Sequence, residues 1–370
     1  MRRFRLQWLV LVSGLLASGT TAFAKTRYVS PSGTDAFDCA VAPYRTIHYA
    51  VGQAAAGDTI RVAAGTYADS ISVNKRLILS GSGRGSTTID AAGHDNGVVI
   101  AGAASAGTVF RGFTVKNAGR EGLFANKTSY LLIADNTFVM NDAYGPNSPQ
   151  CPAADPDDCG EAVHLQTVTF SAVSGNLVQN NVGGILLTDE DGPTAFNLLS
   201  DNQVLDNTKD CGITLASHFF QLGAPASAST AGVYQNLVLH NTSIGNGAAG
   251  IGVFAGPPGA AAWGNVVVGN TAKNNGLPGV AMHAHSPFQN LDGNVVTNNI
   301  ISGNGPDDDA GTVDPTGITV WSGVVSINQT TVAHNIISNE HYGIFARMAP
   351  KISGLPSNVY INVAVPVSQQ

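Results

Sequence analysis

Charged residues are scarce in this sequence, and positive charge is nearly absent from its C-terminal two thirds. Only 12% of the 370 residues are charged. After residue 127 there are 18 Asp and Glu against four cations, which are Lys209, Lys273, Arg347 and Lys351. Phosphate contacts need a basic surface, so this composition argues against a nucleic acid partner. It also disfavours a bare polyanionic glycan, unless a divalent cation bridges the glycan to carboxylates.

Cysteine is equally scarce. There are four cysteines and no C-x-x-C spacing, which argues against a cysteine metal site. An even number in a secreted chain permits disulfides. Cys151 and Cys159 fall in one loop and are the predicted pair, whereas a Cys39–Cys211 bridge would span much of the chain and stays open.

The chain has no apolar run long enough to span a membrane. Its longest mostly apolar stretch lies at the N-terminus. Arg2, Arg3 and Arg5 precede the mostly apolar residues 6–16, and Ala22-Phe-Ala24 offers a small-x-small cleavage site. This pattern predicts a signal peptide over residues 1–24 and a secreted or periplasmic protein. The apolar run is too short for a membrane span, and no later segment is a candidate.

What the chain does have is a repeat. A small residue followed by alternating apolar residues recurs at steps of 22 to 40 residues, at Gly122, Ala162, Gly184, Gly212, Gly250, Gly279, Gly317 and Gly343. Between these leading residues lie asparagine pairs: Asn136/Asn141, Asn176/Asn181, Asn202/Asn207, Asn241/Asn246, Asn270/Asn275, Asn299/Asn304 and Asn335/Asn339. A repeat of this length with variable insertions indicates a stacked solenoid.

The period inside the repeat indicates strands. Apolar residues alternate with period two, as in Ile213-x-Leu215 and Ile318-x-Val320, and no leucine-rich repeat pattern is visible. With coils about 4.8 Å apart, equivalent asparagines would stack into a ladder of side-chain amides at the turns. We therefore predict an all-β fold, a parallel β-helix in which the paired asparagines are structural.

The N-terminal stretches point the same way. They read Tyr28-Val-Ser-Pro-Ser-Gly-Thr-Asp, Thr46-Ile-His-Tyr-Ala-Val, Gly57-Asp-Thr-Ile-Arg-Val and Gly65-Thr-Tyr. Together with the repeat, they make the chain resemble right-handed parallel β-helix proteins of the pectin-lyase-like superfamily. The resemblance implies a solenoid of roughly 8–10 coils with an N-terminal capping helix. It implies no single activity, because the fold carries lyases, hydrolases, epimerases, esterases and adhesins.

Motifs of particular enzymes in that superfamily are missing. The chain lacks the methylesterase Gln-Asp-Thr-Leu, the polygalacturonase Gly-His-Gly and the pectate lyase Trp-x-Asp-His. No specific enzyme family is therefore matched.

The ends of a solenoid need covers, because they expose apolar surface and unpaired strand edges. Residues 46–56 carry a helical pattern, with Ile47, Ala50, Val51 and Ala54 on one face. We expect residues 25–110 to form the N-terminal cap and first coils. Residues 111–370 then form the remaining coils and a C-terminal cap near 359–365, in one continuous domain.

One sheet face carries most of the candidate chemistry. Alternation places the second, fourth and sixth residues after each leading residue outside. Four histidines, three phenylalanines, a tryptophan and an arginine fall at such positions. Aromatic rings that cover sugar faces beside polar groups suit a glycan-binding groove. The predicted substrate-binding residues are Trp321, Phe254, Gln166, His283 and His285.

The predicted catalytic residues are His218, His164, Glu190, Asp189 and Arg347. His218 follows its strand one coil above Glu190, so the two are expected about 5 Å apart. A carboxylate beside histidine raises its pKa and orients it for acid/base chemistry. Asp189 is the alternative partner, His164 a second base or acid, and Arg347 a ligand for a substrate carboxylate.

Two kinds of metal site are conceivable. His283-Ala-His285 places two imidazoles on one strand face and forms half of a metal site. Asp189 and Asp191 are candidate calcium ligands, and the acidic loops 155–158 and 307–309 also offer oxygen ligands.

These observations predict a secreted protein that acts on a polysaccharide. The first hypothesis is a polysaccharide lyase or uronate epimerase. The alternatives are a glycoside hydrolase on the same fold and a non-catalytic carbohydrate-binding or cell-surface β-helix.

Overall fold

The computed structural model describes residues 24–36, 42–142 and 160–370. Within them the chain winds as a solenoid of short parallel strands, in one sheet of 12 strands and a second of 22. The predicted all-β parallel β-helix is thereby confirmed. The predicted signal peptide, apart from Ala24, and the cysteines 39, 151 and 159 lie outside the described residues. None of the described helices is long and apolar enough to cross a membrane.

The strands form three stacks. The 12-stranded sheet is the first stack and contains β1 Thr26–Val29, β2 Thr59–Val62, β5 Ile78–Gly81, β8 Val109–Arg111, β11 Leu132–Ala134, β14 Ala172–Ser174, β18 Leu198–Ser200, β22 Leu237–Leu239, β25 Val266–Val268, β28 Val295–Thr297, β31 Thr330–Ala333 and β33 Ile352–Ser353. The second stack contains β3 Gly65–Ala68, β6 Thr87–Asp90, β9 Thr114–Lys116, β12 Thr137–Val139, β15 Leu177–Gln179, β19 Gln203–Leu205, β23 Thr242–Ile244, β26 Thr271–Lys273 and β29 Ile300–Ser302.

The third stack contains β4 Ile71–Val73, β7 Val98–Ala101, β10 Leu123–Ser129, β13 Glu161–Thr169, β16 Gly183–Thr188, β20 Ile213–Ser217, β24 Ile251–Ala255, β27 Val280–Ala284 and β30 Thr316–Ser322. Two long strands, β32 Ile336–Arg347 and β34 Val359–Gln369, run through both the second and third stacks and join them. The short strands β17 Thr194–Ala195 and β21 Val233–Tyr234 complete the larger sheet.

The core is a column of aliphatic side chains inside the coils. Val163, Ile185 and Ile213 pair in register in successive strands of the third stack, and all three are inaccessible to solvent. The leading glycines permit this close stacking, since a Cβ atom at Gly184 would collide with the carbonyl oxygen of Gly212 in the next coil. Inward apolar residues and small leading residues together set the register of the stack.

The asparagines form the predicted ladders at two turns. In each step a side-chain amide donates to the amide oxygen one coil further on, for example Asn176 Nδ2 to Asn202 Oδ1 at 3.0 Å. One ladder runs through Asn136, Asn176, Asn202, Asn241, Asn270, Asn299, Asn335 and Asn358. The second runs through Asn141, Asn181, Asn207, Asn246, Asn275 and Asn304.

The second ladder ends differently from the prediction. Its last rung is Glu340, whose Oε1 accepts from the Asn304 side chain at 3.0 Å. Asn339, the predicted partner of Asn335, is instead an exposed residue within β32, with a φ of 55°. The inward position keeps the five-residue spacing of the other coils, so it falls on Glu340 and not on Asn339.

A helix covers the N-terminal end as predicted. Helix α1 spans Ile47–Gln53, buries Ile47, Ala50 and Val51, and packs against β1 and β4. Its first backbone N–H groups donate to the buried carboxylate of Asp69 at 2.9 and 3.0 Å. Within the described ranges, 3-10 turns occur at Ala103–Ser105 and Leu355–Ser357. At the other end, the predicted C-terminal cap forms part of the edge strand β34.

Candidate functional site

The outer face of the third stack presents two parallel rows of side chains. The first row is Phe124, His164, Leu186, Thr214, Gly252, Ala281, Thr319 and Phe345. The second row is Asn126, Gln166, Thr188, Ala216, Phe254, His283, Trp321 and Arg347. The predicted outward positions therefore stack in register, but most of the first row is buried, whereas Gln166, Phe254, Trp321 and Arg347 of the second row reach solvent.

His218 and Glu190 form a hydrogen-bonded pair where β16 and β20 end. His218 Nδ1 lies 3.0 Å from Glu190 Oε1, which is closer than the sequence predicted. The side chains of the two residues are 17% and 35% exposed. Burial alone would raise the pKa of Glu190, but the hydrogen bond and charge of His218 outweigh it and lower the pKa to about 2. Glu190 is therefore ionised throughout the ordinary pH range and orients the imidazole.

A second histidine–carboxylate pair is connected to the first through Thr188. His164 Nε2 lies 2.8 Å from the Thr188 hydroxyl, and its Nδ1 lies 3.3 Å from Glu121 Oε1. The Thr188 hydroxyl also helps to lower the pKa of the Glu190 carboxyl. A continuous series of polar contacts thus runs through Glu121, His164, Thr188, Glu190 and His218 over four coils.

Glu121 was missed by the sequence reasoning. It directly precedes the leading Gly122, outside the outward positions that the repeat pattern identifies, and it is buried. The repeat does carry a signal for Glu121, because Glu161 stands directly before the next leading residue, as Glu121 stands before Gly122. Carboxylates at that position of adjacent coils are unusual for a buried turn and indicate a polar partner.

Asp189 supports the loop that carries His218. Its carboxylate is buried and accepts hydrogen bonds from the Ser217 hydroxyl at 2.7 Å and from the backbone N–H groups of His218, Phe219 and Gly232 at 2.7, 3.2 and 2.6 Å. Burial raises the pKa of Asp189. With four donors on its two oxygens, Asp189 anchors the backbone of His218 and of the loop that follows it.

The same contacts do not support the calcium site predicted at Asp189 and Asp191. Calcium needs oxygen lone pairs that converge on one point. The oxygens of Asp189 are committed to protein donors, and Asp191 Oδ2 pairs with Lys127 Nζ at 3.1 Å. Asp191 Oδ2 also accepts a long hydrogen bond of 3.5 Å from Gln166. The two carboxylates thus point to different partners.

His283 and His285 belong to a second cluster, which the loop after β29 completes. His283 is buried, with Nε2 at 2.8 Å from Asp307 Oδ2 and Nδ1 at 3.4 Å from Asp309 Oδ2. His285 Nε2 lies 3.6 Å from the same Asp309 oxygen. Burial alone would lower the pKa of His283, but the two carboxylates outweigh it and raise that pKa, whereas burial lowers the pKa of His285.

The predicted sugar platforms flank this second cluster. The ring of Phe254 lies 5.3 Å from that of His283, and Trp321 contacts His283 and His285 edge-on at 5.5 and 5.4 Å. Phe254 and Trp321 are partly exposed, so they contact the histidines and still present ring surface to solvent.

Arg347 lies apart from His218. It is exposed and pairs in register with Trp321, at the far end of the second row. Arg347 lies four strand spacings, about 19 Å, along the stack from His218. Arg347 therefore does not share a sugar subsite with His218.

The predicted disulfide between Cys151 and Cys159 falls on residues outside the described ranges. Cys211 is a buried free thiol, and burial raises its pKa well above the ordinary value. The described geometry therefore lends no support to a bridge from Cys211.

One large concavity lies away from this face. It is on the first stack near the N-terminus and includes Tyr28, Arg61 and Arg111. Histidines and carboxylates are absent from the residues that line it. The titratable groups suited to acid/base chemistry converge on the third stack, so we assign the candidate site there.

The fold and this face define a solenoid with an acid/base cluster on one parallel sheet. The family model described as "Right handed beta helix region" matches residues 70–353, and the chain belongs to this family. The resemblance to right-handed, pectin-lyase-like β-helix proteins is thereby confirmed.

Solved structures with the same fold act on different glycans. The A-module of the mannuronan C-5 epimerase AlgE6 from Azotobacter vinelandii superposes with a TM-score of 0.57 and 14% identity, over 87% of this chain and 89% of that one. Pectate lyase Pel9A superposes with a TM-score of 0.51 and 12% identity, over 94% and 79% of the chains. The catalytic domain of a GH87 alpha-1,3-glucanase gives a TM-score of 0.50 and 12% identity, over 88% and 64%. No curated protein matches the chain in sequence. At these identities the likeness establishes the fold.

Proposed function

We propose that this protein is a secreted or periplasmic polysaccharide-active enzyme, and that it abstracts the C5 proton of a uronic acid residue in a lyase or epimerase reaction. The observation that carries the proposal is the pairing of His218 with an ionised Glu190 on an outer sheet face. A carboxylate that orients an imidazole is a recurring arrangement for a general base. A mannuronan C-5 epimerase and a pectate lyase have the same β-helix architecture, and this likeness supports the assignment.

The proposed reaction needs a base and a route for a second proton. His218 takes the C5 proton, and the electron pair that is left is delocalised into the substrate carboxylate. In elimination this pair forms the C4–C5 double bond while the C4–O bond breaks and the leaving oxygen is protonated. In epimerisation C5 is protonated again from the opposite face. His164, connected to Glu190 through Thr188, is the second titratable group that this chemistry requires.

A substrate carboxylate must also be neutralised, and Lys127 is the cation placed to do so. Its side chain is 55% exposed and contacts Asp191 beside Gln166. A substrate carboxylate would exchange for Asp191 as the partner of the ammonium group. Arg347, the residue first predicted for this role, lies too far along the sheet.

The surroundings of Glu190 favour this chemistry over glycoside hydrolysis. Hydrolysis uses two carboxyl groups that flank the glycosidic bond, separated by roughly 5 to 9.5 Å. The two carboxylates next to Glu190 in sequence already have protein partners. Asp189 accepts hydrogen bonds from four protein donors, and Asp191 forms an ion pair with Lys127. A non-catalytic carbohydrate-binding protein has no need for two linked histidine–carboxylate pairs.

A polysaccharide panel tests the proposal. The purified secreted protein is incubated with uronate polymers and neutral glycans, and unsaturated uronate absorbance, reducing ends and the C5 configuration by NMR are followed together. We expect either an ultraviolet signal or an inverted C5 on a uronate polymer. His218→Ala should lower that rate by roughly 10²- to 10⁴-fold, the usual contribution of an acid/base group.

The matched control is His334→Ala, which removes an exposed histidine from a turn of the first stack. It should leave the rate unchanged. Reducing ends without either uronate signal would instead establish the glycoside hydrolase. Glycan binding without any product would establish the carbohydrate-binding protein, and both results would overturn the proposal.

A further inference from the structure

Three potential ligand atoms converge on the outer face of the third stack, two strands along the stack from His218. They are His283 Nδ1, His285 Nε2 and a carboxylate oxygen of Asp309, and all lie within 4.8 Å of one another. The histidines come from β27, and Asp309 comes from the loop between β29 and β30. Residues 26 positions apart in sequence are thus brought to one point by the stacking of two coils.

We infer that His283, His285 and Asp309 form a binding site for a divalent transition metal, with Zn²⁺ the best match to its ligands. The two separations that involve Asp309 fit one ion. Ligand atoms bound to a tetrahedral ion at about 2.0–2.1 Å lie about 3.3 Å from one another. The Asp309 oxygen already lies 3.4 Å from His283 Nδ1 and 3.6 Å from His285 Nε2. Both distances lie above the ordinary hydrogen-bond range, so neither contact is a good hydrogen bond.

The environment of His283 supplies an independent argument. Its Nε2 lies 2.8 Å from Asp307 Oδ2, and both residues are buried. The other Asp307 oxygen accepts the backbone N–H of Ala310 at 3.1 Å, which fixes the carboxylate and the loop that bears Asp309. A buried carboxylate that receives the N–H of an imidazole directs the opposite ring nitrogen at the metal in many metalloproteins. This arrangement leaves Nδ1 of His283 as the ligand atom, and Nδ1 is the nitrogen that faces Asp309 and His285.

The donor set selects the class of ion. Two imidazole nitrogens and one carboxylate oxygen suit Zn²⁺ and its first-row neighbours, whereas Ca²⁺ and Mg²⁺ prefer oxygen ligands. Three protein ligands leave a coordination position for water or substrate, as in catalytic rather than structural zinc sites. The side chains of His285 and Asp309 are 40% and 57% exposed, so solvent reaches the cluster. The site lies two strand spacings, about 10 Å, along the stack from His218, and it is therefore beside the proposed glycan site.

The alternative is an ion-pair cluster without a metal, and titration with Zn²⁺ alone distinguishes the two. Isothermal titration of the metal-free protein with Zn²⁺ should show one strong site per chain. Because the ion binds the folded protein, it should also raise the melting temperature, by an amount that grows with the logarithm of the ratio of the Zn²⁺ concentration to Kd. His285→Ala and Asp309→Asn should each weaken binding by at least about tenfold and abolish the thermal shift. Both side chains are exposed enough that these variants should fold.

The control is Asp308→Asn, which changes the adjacent exposed aspartate of the same loop by the same chemistry. His334→Ala is the corresponding control for the histidine. Both should bind Zn²⁺ as the unchanged protein does. The inference is overturned if the protein binds no Zn²⁺. It is also overturned if His285→Ala and Asp309→Asn bind Zn²⁺ as well as the two controls do, because the ion would then bind elsewhere on the surface. Neither readout depends on enzymatic activity.

Discussion

Nδ1 of His218 and Oε1 of Glu190 lie 3.0 Å apart, although 28 positions separate the residues in sequence. The contact exists because each residue follows the end of a strand of the third stack, in successive coils. Such a pairing across coils needs no local motif. It follows from the register of β16 on β20, in which Ile185 pairs with Ile213 and Leu187 with Leu215.

Replacement of Glu190 tests whether the carboxylate serves the histidine. Glu190→Gln keeps the shape but removes the charge that orients and stabilises a protonated His218. We expect kcat to fall by about tenfold or more with KM little changed, because the charge acts on proton transfer rather than on binding. Steady-state kinetics on the polymer identified by the panel give both constants. Asp201→Asn, in an exposed turn with a φ of 56°, is the control, since asparagine tolerates that conformation. An equal fall in both variants would contradict a specific role for Glu190.

Asp189 should matter for both stability and activity, although it does not face the substrate. Asp189→Asn replaces an acceptor oxygen by an NH₂ group that faces protein donors. We expect a loss of about 2–4 kcal/mol in the free energy of unfolding, because buried donors lose their partner. The rate should also fall, since the backbone N–H of His218 loses its anchor.

Ser217→Ala is the matched comparison for Asp189. It removes one of the four hydrogen bonds to that carboxylate and also the acceptor of the buried Ala261 N–H, so it should cost about 2 kcal/mol and leave His218 anchored. Denaturant unfolding followed by circular dichroism, with the assay on the same samples, measures both effects. A stable Asp189→Asn protein with an unchanged rate would show that the carboxylate does not position His218.

The ladder asparagines should each contribute measurably to stability. The Asn202 side chain accepts from the backbone and side chain of Asn176, and donates to Val173 O and Asn241 Oδ1. Asn202→Ala leaves these buried partners unsatisfied and should cost about 2–4 kcal/mol. Asn74→Ala, at an exposed position outside the ladders, should stay within about 0.5 kcal/mol. Comparable melting temperatures for the two variants would show that the amides do not act as a ladder.

Periodic features of the fold could be predicted from the sequence, and single contacts could not. The small leading residues and the paired asparagines recur in most coils after residue 121, so their roles follow from the repeat itself. His218 and Glu190 were predictable neighbours because both follow strands at equivalent places. Asp309 was not predictable as a partner of His285, since the path of the loop that carries it is not set by the repeat. Glu121 could not be predicted from the outward positions, because it lies before the leading glycine and not on the alternating strand that follows it.

Glu340, the rung that ends the second ladder, should make stability depend on pH. It is buried, and one oxygen accepts from Asn304 while the other has no hydrogen-bond partner within the described residues. Burial raises its pKa to about 7, and the hydrogen bonds from Asn304 only partly offset this effect. Because the folded pKa lies above the unfolded value of 4.5, the group is protonated in both states at low pH. As pH rises above that value the unfolded chain loses the proton first, so the folded state is increasingly disfavoured until about pH 7 and stays so above it.

A shift of this size corresponds to roughly 3 kcal/mol, to order of magnitude. Glu340→Gln removes the titration and supplies an amide oxygen that still accepts from Asn304. The variant should therefore gain stability over the unchanged protein at pH 8 and show a much smaller difference at pH 4. Melting temperatures of both proteins across that range measure the effect, with Asp308→Asn as an exposed-carboxylate control that should show no such trend. A difference that is constant from pH 4 to pH 8 would mean that Glu340 titrates normally, and that the ladder ends on a charged rung.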